Sequence, residues 1–283
     1  MSKPLMLKAS GSEVTLLPRL GGSIGSFTVD GRAVMRPTPA DAQSPLDAAC
    51  FPLVPYANRI ADGRFTFAGR DYALPVNVDG FEHPLHGLGW LKQWTVAEQS
   101  EDSAVLTCAH AADSDWPWTW AAAQRFDLTD GALRVVLEVT NRSGEAMPCG
   151  VGQHPYFVRE DGAKLTFTAS GVWLSDARMI PVETAPANAF GDFAQGSVPL
   201  PDTLTDNCWF GWDGRATWGD VEVSSTKAGF VHVYAPPGED FLCIEPTSQM
   251  PDALSQPDFA AAGGTVLEPG ETMALAMEIR VRR

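Results

Sequence analysis

Apolar and polar residues alternate along this chain in short runs, and a period of two marks strands with one buried face. The pattern is clearest over 132–140, where Leu133, Val135, Leu137 and Val139 share a side. Across Asp130-Gly131, residues 124–128 read as the hairpin partner. Runs at 221–225, 230–235 and 241–245 predict further short strands. The last run sets Met273, Leu275, Met277, Ile279 and Val281 on one side, with Glu278, Arg280 and Arg282 on the other. Asp-Gly, a strong hairpin-turn dipeptide, recurs at 30–31, 62–63, 79–80, 130–131, 161–162 and 213–214. Helical periodicity is poor: residues 40–49 leave room for a turn or two, and Pro45 interrupts them. Residues 176–206, rich in Pro, Ala and Asp, read as a long surface excursion. With no internal repeat and no linker-like shift in composition, the expectation is one all-β domain over 1–283, a large antiparallel β-sandwich.

Composition narrows the function more than the fold. At 283 residues, 45% hydrophobic and 19% charged, the chain can bury a large core. Its formal net charge of −15 argues against nucleic acid or an anionic membrane as partner, since both require clustered Lys and Arg. The same charge disfavours a strongly anionic substrate unless a local Arg cluster overrides it. Five scattered cysteines with no C-x-x-C pair fit neither a disulfide framework nor a zinc finger. Without an apolar h-region after Met1, the expectation is a cytoplasmic protein with reduced thiols.

Five stretches hold polar residues that packing does not ask for. In Gly150-Val-Gly-Gln-His154-Pro-Tyr-Phe, an imidazole stands at a strand end and Pro155 biases it away from helix. By residue type alone His154 is either a capped core residue or a proton carrier. A proline-stiffened segment, Phe51-Pro-Leu-Val-Pro-Tyr-Ala, ends in Asn58 and Arg59, an amide and a fork of donors. In His83-Pro-Leu-His86, Pro84 breaks helical spacing and no third ligand is near, so no metal is expected. His86, beside Gly87 and Trp90, reads as a hydrogen-bonding imidazole, and His83 as peripheral. Asp206-Asn207 reads as a turn or as a binding pair. The run Asp240-Phe-Leu-Cys-Ile-Glu245-Pro places one carboxylate at an apolar strand's end, where partial burial raises its pKa towards a general base. No G-x-S-x-G, P-loop or G-x-G-x-x-G motif occurs, so no cofactor is implied.

Together these stretches resemble the aldose 1-epimerase (galactose mutarotase-like) family over most of the chain. The likeness rests on Asn58-Arg59-Ile60, His86-Gly87 followed by Trp94, Gly152-Gln-His154-Pro-Tyr-Phe157, Asp206-Asn207-Cys-Trp209, Glu245-Pro246 and Leu267-Glu-Pro-Gly270-Glu271 in that order. The resemblance implies a β-supersandwich and a sugar ring opened by acid/base chemistry. Glu245 would be the base and His154 the acid, facing each other across one ring. Arg59, His86 and Asp206, beside Asn58, would hold the sugar, and Trp209, Tyr234 or Trp90 would stack on it. The implied partner is a free monosaccharide, with no nucleic acid or membrane, and the protein a monomer or weak homodimer. Two alternatives stay open: an epimerase for a charged sugar (a hexose phosphate or another acidic or sulfonated sugar), and a non-catalytic carbohydrate-binding protein of the same fold. A binding protein has no use for a His–Glu proton-transfer pair, which favours the enzyme.

Overall fold

The computed structural model describes residues 4–199 and 202–282. Strands dominate, and helical structure among the described residues consists of five three-residue 3₁₀ turns. One of these, Pro45–Asp47, occupies the segment where a turn was expected, and a Ser44/Asp47 capping box closes it.

Two broad antiparallel sheets carry the architecture. The first runs, in spatial order, Leu165–Phe167, Arg215–Trp218, Val221–Thr226, Thr272–Val281, Ala132–Asn141, Trp120–Thr129, Ser103–His110 and Thr95–Gln99. Thr129 pairs with Ala132, so Asp130-Gly131 is the expected two-residue hairpin turn. The second sheet is ordered Pro181–Ala185, Gly171–Ser175, Thr205–Phe210, Phe230–Ala235, Phe241–Thr247, Gly152–Gln153 and Pro52–Leu53, with Tyr156–Val158 also on Phe241–Thr247. A four-stranded sheet at the N-terminal end, Leu5–Ala9 to Arg32–Ala33, and two small ribbons complete it. The fold is that of an all-β sandwich.

Strand parity decides what each sheet face holds. Leu133, Val135, Leu137, Leu275, Met277 and Ile279 of the first sheet share one core with Val231, Val233, Leu242, Ile244 and Trp209 of the second. The alternate positions of the second sheet, Asp206, His232, Tyr234, Cys243 and Glu245, therefore lie on its other face.

Two local expectations are corrected. The Phe241 strand does not stop at Pro246 but runs on to Thr247, because Pro246 occupies a core-facing position opposite Val231 within the ladder. Glu245 is thus mid-strand and 1% exposed, not at a strand end. Residues 176–206 are more than an excursion: they contain the Pro181–Ala185 strand and a 3₁₀ turn at Phe193–Gln195.

Candidate active site

On the non-core face of the second sheet lies a cavity of about 460 Å³, within the range of small-molecule sites. Its floor is Glu245 and His154. Gly152–Gln153 pairs with both Phe241–Thr247 and Pro52–Leu53, delivering His154 beside Glu245. Before it, a Cβ at Gly150 would sit 1.7 Å from Gln249 Oε1, so a larger residue there would displace the Gln249 side chain. The His154 N–H donates to Phe51 O at 3.0 Å, and its imidazole stacks between Phe51 (4.5 Å) and Tyr156 (4.8 Å). Trp90 stacks on the far side of Phe51 at 5.1 Å, so the His154 ring is held by a column of aromatics.

His154 Nε2 lies 3.3 Å from Glu245 Oε1. The two touch, and do not face each other across the width of a ring. His154 Nδ1 and Glu245 Oε2 are buried without a protein partner, and two such orphans in one place are unusual in a folded core. Burial drives Glu245 up to about 8 and His154 down to about 3, the latter helped by the cation on His232. Between those values the pair holds one proton.

Asp206 sits two strands away, diagonally across from His232 in the ladder. His232 Nε2 is 2.5 Å from Asp206 Oδ1, and Arg59 Nη2 is 3.4 Å from Oδ2. Burial opposes charge on both members. Nevertheless the Glu245 and Asp206 carboxylates raise His232 to about 10, and the His232 hydrogen bond holds Asp206 below the ordinary carboxylate range. At neutral pH this is a charged Arg59–Asp206–His232 chain laid against the Glu245–His154 pair.

The remaining wall comes from two loops locked to each other. Asn58 and His86 both adopt left-handed backbone at φ 60°. His86 N–H donates to Asn58 O at 2.9 Å, and Asn58 N–H donates to His86 Nδ1 at 3.2 Å. That bond fixes the tautomer: Nδ1 accepts, so the ring proton is on Nε2 and is presented to the cavity. Burial, aided by nearby His154, Arg59 and His232, keeps His86 neutral. Asn58 Oδ1 accepts from the Arg59 backbone (2.9 Å) and guanidinium (3.2 Å), so Asn58 orients Arg59 as well as lining the cavity. Gly87 is obligatory here, its absent Cβ being 2.3 Å from Val54 O.

Of the residues singled out from sequence, Asn58, Arg59, His86, His154, Asp206, Tyr234 and Glu245 all line this one cavity. Trp209 does not. Three positions beyond Asp206 it faces the opposite side, fully buried against Phe167, Phe190 and Phe193, with its indole N–H on Ala187 O. Trp90 is fully buried behind Phe51 and donates to the Leu85 and Gly87 carbonyls, which leaves Tyr234 as the one half-buried aromatic of the three that lines the cavity. His83 lies outside this cavity and is 2% exposed. Its Nδ1 accepts from Asp62 N–H, away from the cavity.

Two basic residues that sequence reasoning passed over also line the cavity, His232 and Arg36. His232 lies inside an apolar run and reads as core. Its signal was the hairpin's own symmetry: pairing across the turn near Gly238 puts it opposite Glu245. Arg36, in a short loop before Pro37, carried no such signal. Among the described residues two side-chain sets have metal-like spacing, His154/Cys243/Glu245 and Asp62/Glu82/His83. In the first, burial raises the Cys243 thiol well above its ordinary value, and in the second Arg178 already binds both carboxylates.

With fold and site defined, the comparisons place the chain. The aldose 1-epimerase family's sequence profile matches residues 5–280, and the protein belongs to that family. YphB, an uncharacterized protein of Escherichia coli (strain K12), is 34% identical over 283 residues, covering 92% of this chain and 93% of YphB. The crystal structure of an Escherichia coli K12 protein solved as an aldose 1-epimerase candidate superposes at a TM-score of 0.91 with 32% identity, covering 99% of each chain. Mouse galactose mutarotase is 26% identical over 259 residues, 76% of this chain and 73% of the mouse protein.

Proposed function

We propose that this protein is an aldose 1-epimerase that interconverts the α and β anomers of a sugar by opening and reclosing its ring. The observation that carries the reading is the contact between His154 Nε2 and Glu245 Oε1, 3.3 Å apart at the floor of a cavity otherwise lined by hydroxyl-binding groups. A pyranose with its anomeric carbon at this pair meets both groups at once. Burial of both groups rests the pair's one proton on Glu245, and it first passes across the 3.3 Å contact to His154; the Glu245 carboxylate then takes the proton from the C1 hydroxyl, and the His154 imidazolium gives its proton to the ring oxygen. The C1–ring-oxygen bond breaks, and C1 becomes a carbonyl. Rotation about C1–C2 presents the other carbonyl face; reclosure runs the two transfers backwards. The proton count balances, since the pair starts and ends with one proton. Each positioned group contributes about 10²–10⁴-fold, and orientation adds to it. The His86 Nε2–H and the Arg59 guanidinium supply donors to sugar oxygens, Asp206 supplies an acceptor, and Tyr234 a partly exposed aromatic surface.

Polarimetry tests the proposal. Freshly dissolved α-anomers of a panel of aldoses should reach equilibrium rotation faster with the protein than without. Binding of sugars with no acceleration for any of them would favour a carbohydrate-binding protein.

A further inference from the structure

Among the described residues, the cavity holds one cation that neither the fold's ion pairs nor the acid/base pair accounts for. Arg36 follows Met35, which bridges Phe157, and its N–H donates to Tyr156 O at 2.9 Å. Its guanidinium carbon lies 3.9 Å from the centroid of Tyr156 and 4.5 Å from that of Phe241. Nη2 donates to Leu46 O (2.7 Å) and Ala48 O (3.0 Å). Those bonds use both Nη2 hydrogens and leave the rest. Nε is buried without a partner, and among the described residues no carboxylate forms an ion pair with Arg36. The other cations of the cavity are matched, since Arg59 and His232 both sit on Asp206. In a chain with 35 acidic and 20 basic residues, acidic partners are not scarce, so an unmatched guanidinium facing a cavity points to a counter-charge from outside.

We propose that Arg36 receives an anionic substituent (carboxylate, phosphate or sulfonate) on the sugar whose anomeric carbon sits at His154 and Glu245. This rests on the anomer-exchange reading above. Tyr156 sets the distance, because it stacks on His154 and lies under Arg36. The cation and the acid/base pair are thus one aromatic side chain apart, within the reach of one monosaccharide. All three anions share the chemistry that matters, oxygens that accept charge-assisted bonds from guanidinium N–H groups.

Exchange NMR at equilibrium on glucose, a hexuronic acid, a hexose phosphate and a sulfonated hexose tests this and separates the three anions. The expected result is a kcat/KM for at least one anionic sugar roughly ten- to a hundredfold above glucose. Arg36→Gln should erase that preference mainly through KM, and Arg36→Lys should restore part of it, with both folds checked by circular dichroism. Equal rates for neutral and anionic sugars, or an Arg36→Gln effect of the same size on both, would overturn the inference while leaving anomer exchange intact. If no sugar exchanges, yet anionic sugars bind the wild type and not Arg36→Gln in NMR titrations, the inference stands and the catalytic reading falls. Failure of anionic sugars to bind at all would overturn the inference.

Discussion

At the scale of residues the site is two coupled units. Glu245 and His154 share a proton, and Asp206 is clamped between His232 and Arg59. Burial raises Glu245 to about 8, so the first unit keeps its proton below that pH and loses it above. Ring opening needs that proton for the ring oxygen. We therefore expect kcat/KM to hold through neutral pH and to fall as pH rises past about 8, read from a pH–rate profile; a rate still climbing above pH 9 would contradict the shared-proton scheme. The second unit is a buried ion pair, for which loss of one partner is the expensive change. Asp206→Asn should cost about 3–5 kcal/mol in denaturant unfolding, because His232 and Arg59 lose the charge they face. A cost below about 1 kcal/mol would show that the clamp is not set as described.

Elements explain which side chains could meet at all. Asp206 and Trp209 fall on opposite faces of Thr205–Phe210, so one strand could not offer both to a sugar. Trp209→Phe should cost roughly 1 kcal/mol for the lost indole hydrogen bond and leave the sugar KM unchanged, whereas Tyr234→Ala should raise KM about fivefold. Steady-state kinetics beside thermal unfolding separates the two, and a raised KM in Trp209→Phe would place that ring near the ligand after all. The same parity marks what was legible in sequence. Alternation gave the strands at 132–140 and 273–281, and short apolar runs those at 230–235 and 241–245, and hence the sandwich. His154, Glu245, Arg59 and His86 stood out as polar residues beside glycine or proline. His232 was hidden inside an apolar run, and only the hairpin register exposes it. Arg36 reaches the cavity through a loop whose path no local pattern specifies.

For the whole molecule, charge and thiols carry the two global signals. A net charge of −15 suggested an uncharged ligand, yet the cavity gathers Arg36, Arg59 and His232 against Asp206 and Glu245, so the local field departs from the global one. All five cysteines are buried and free. A thiol reagent should leave the native protein unmodified and titrate five groups in denaturant; fast native labelling would mean the core opens more readily than its packing suggests. The core that hides those thiols also holds the sheet presenting His154 and Glu245, and the central claim is that this pair opens a sugar ring. Anomer-exchange NMR on the wild type, Glu245→Gln and His154→Gln tests it most directly. Accelerated exchange for at least one aldose, reduced about 10²–10⁴-fold in each variant with unfolding temperature preserved, is the predicted result. Full exchange activity in either folded variant would contradict it.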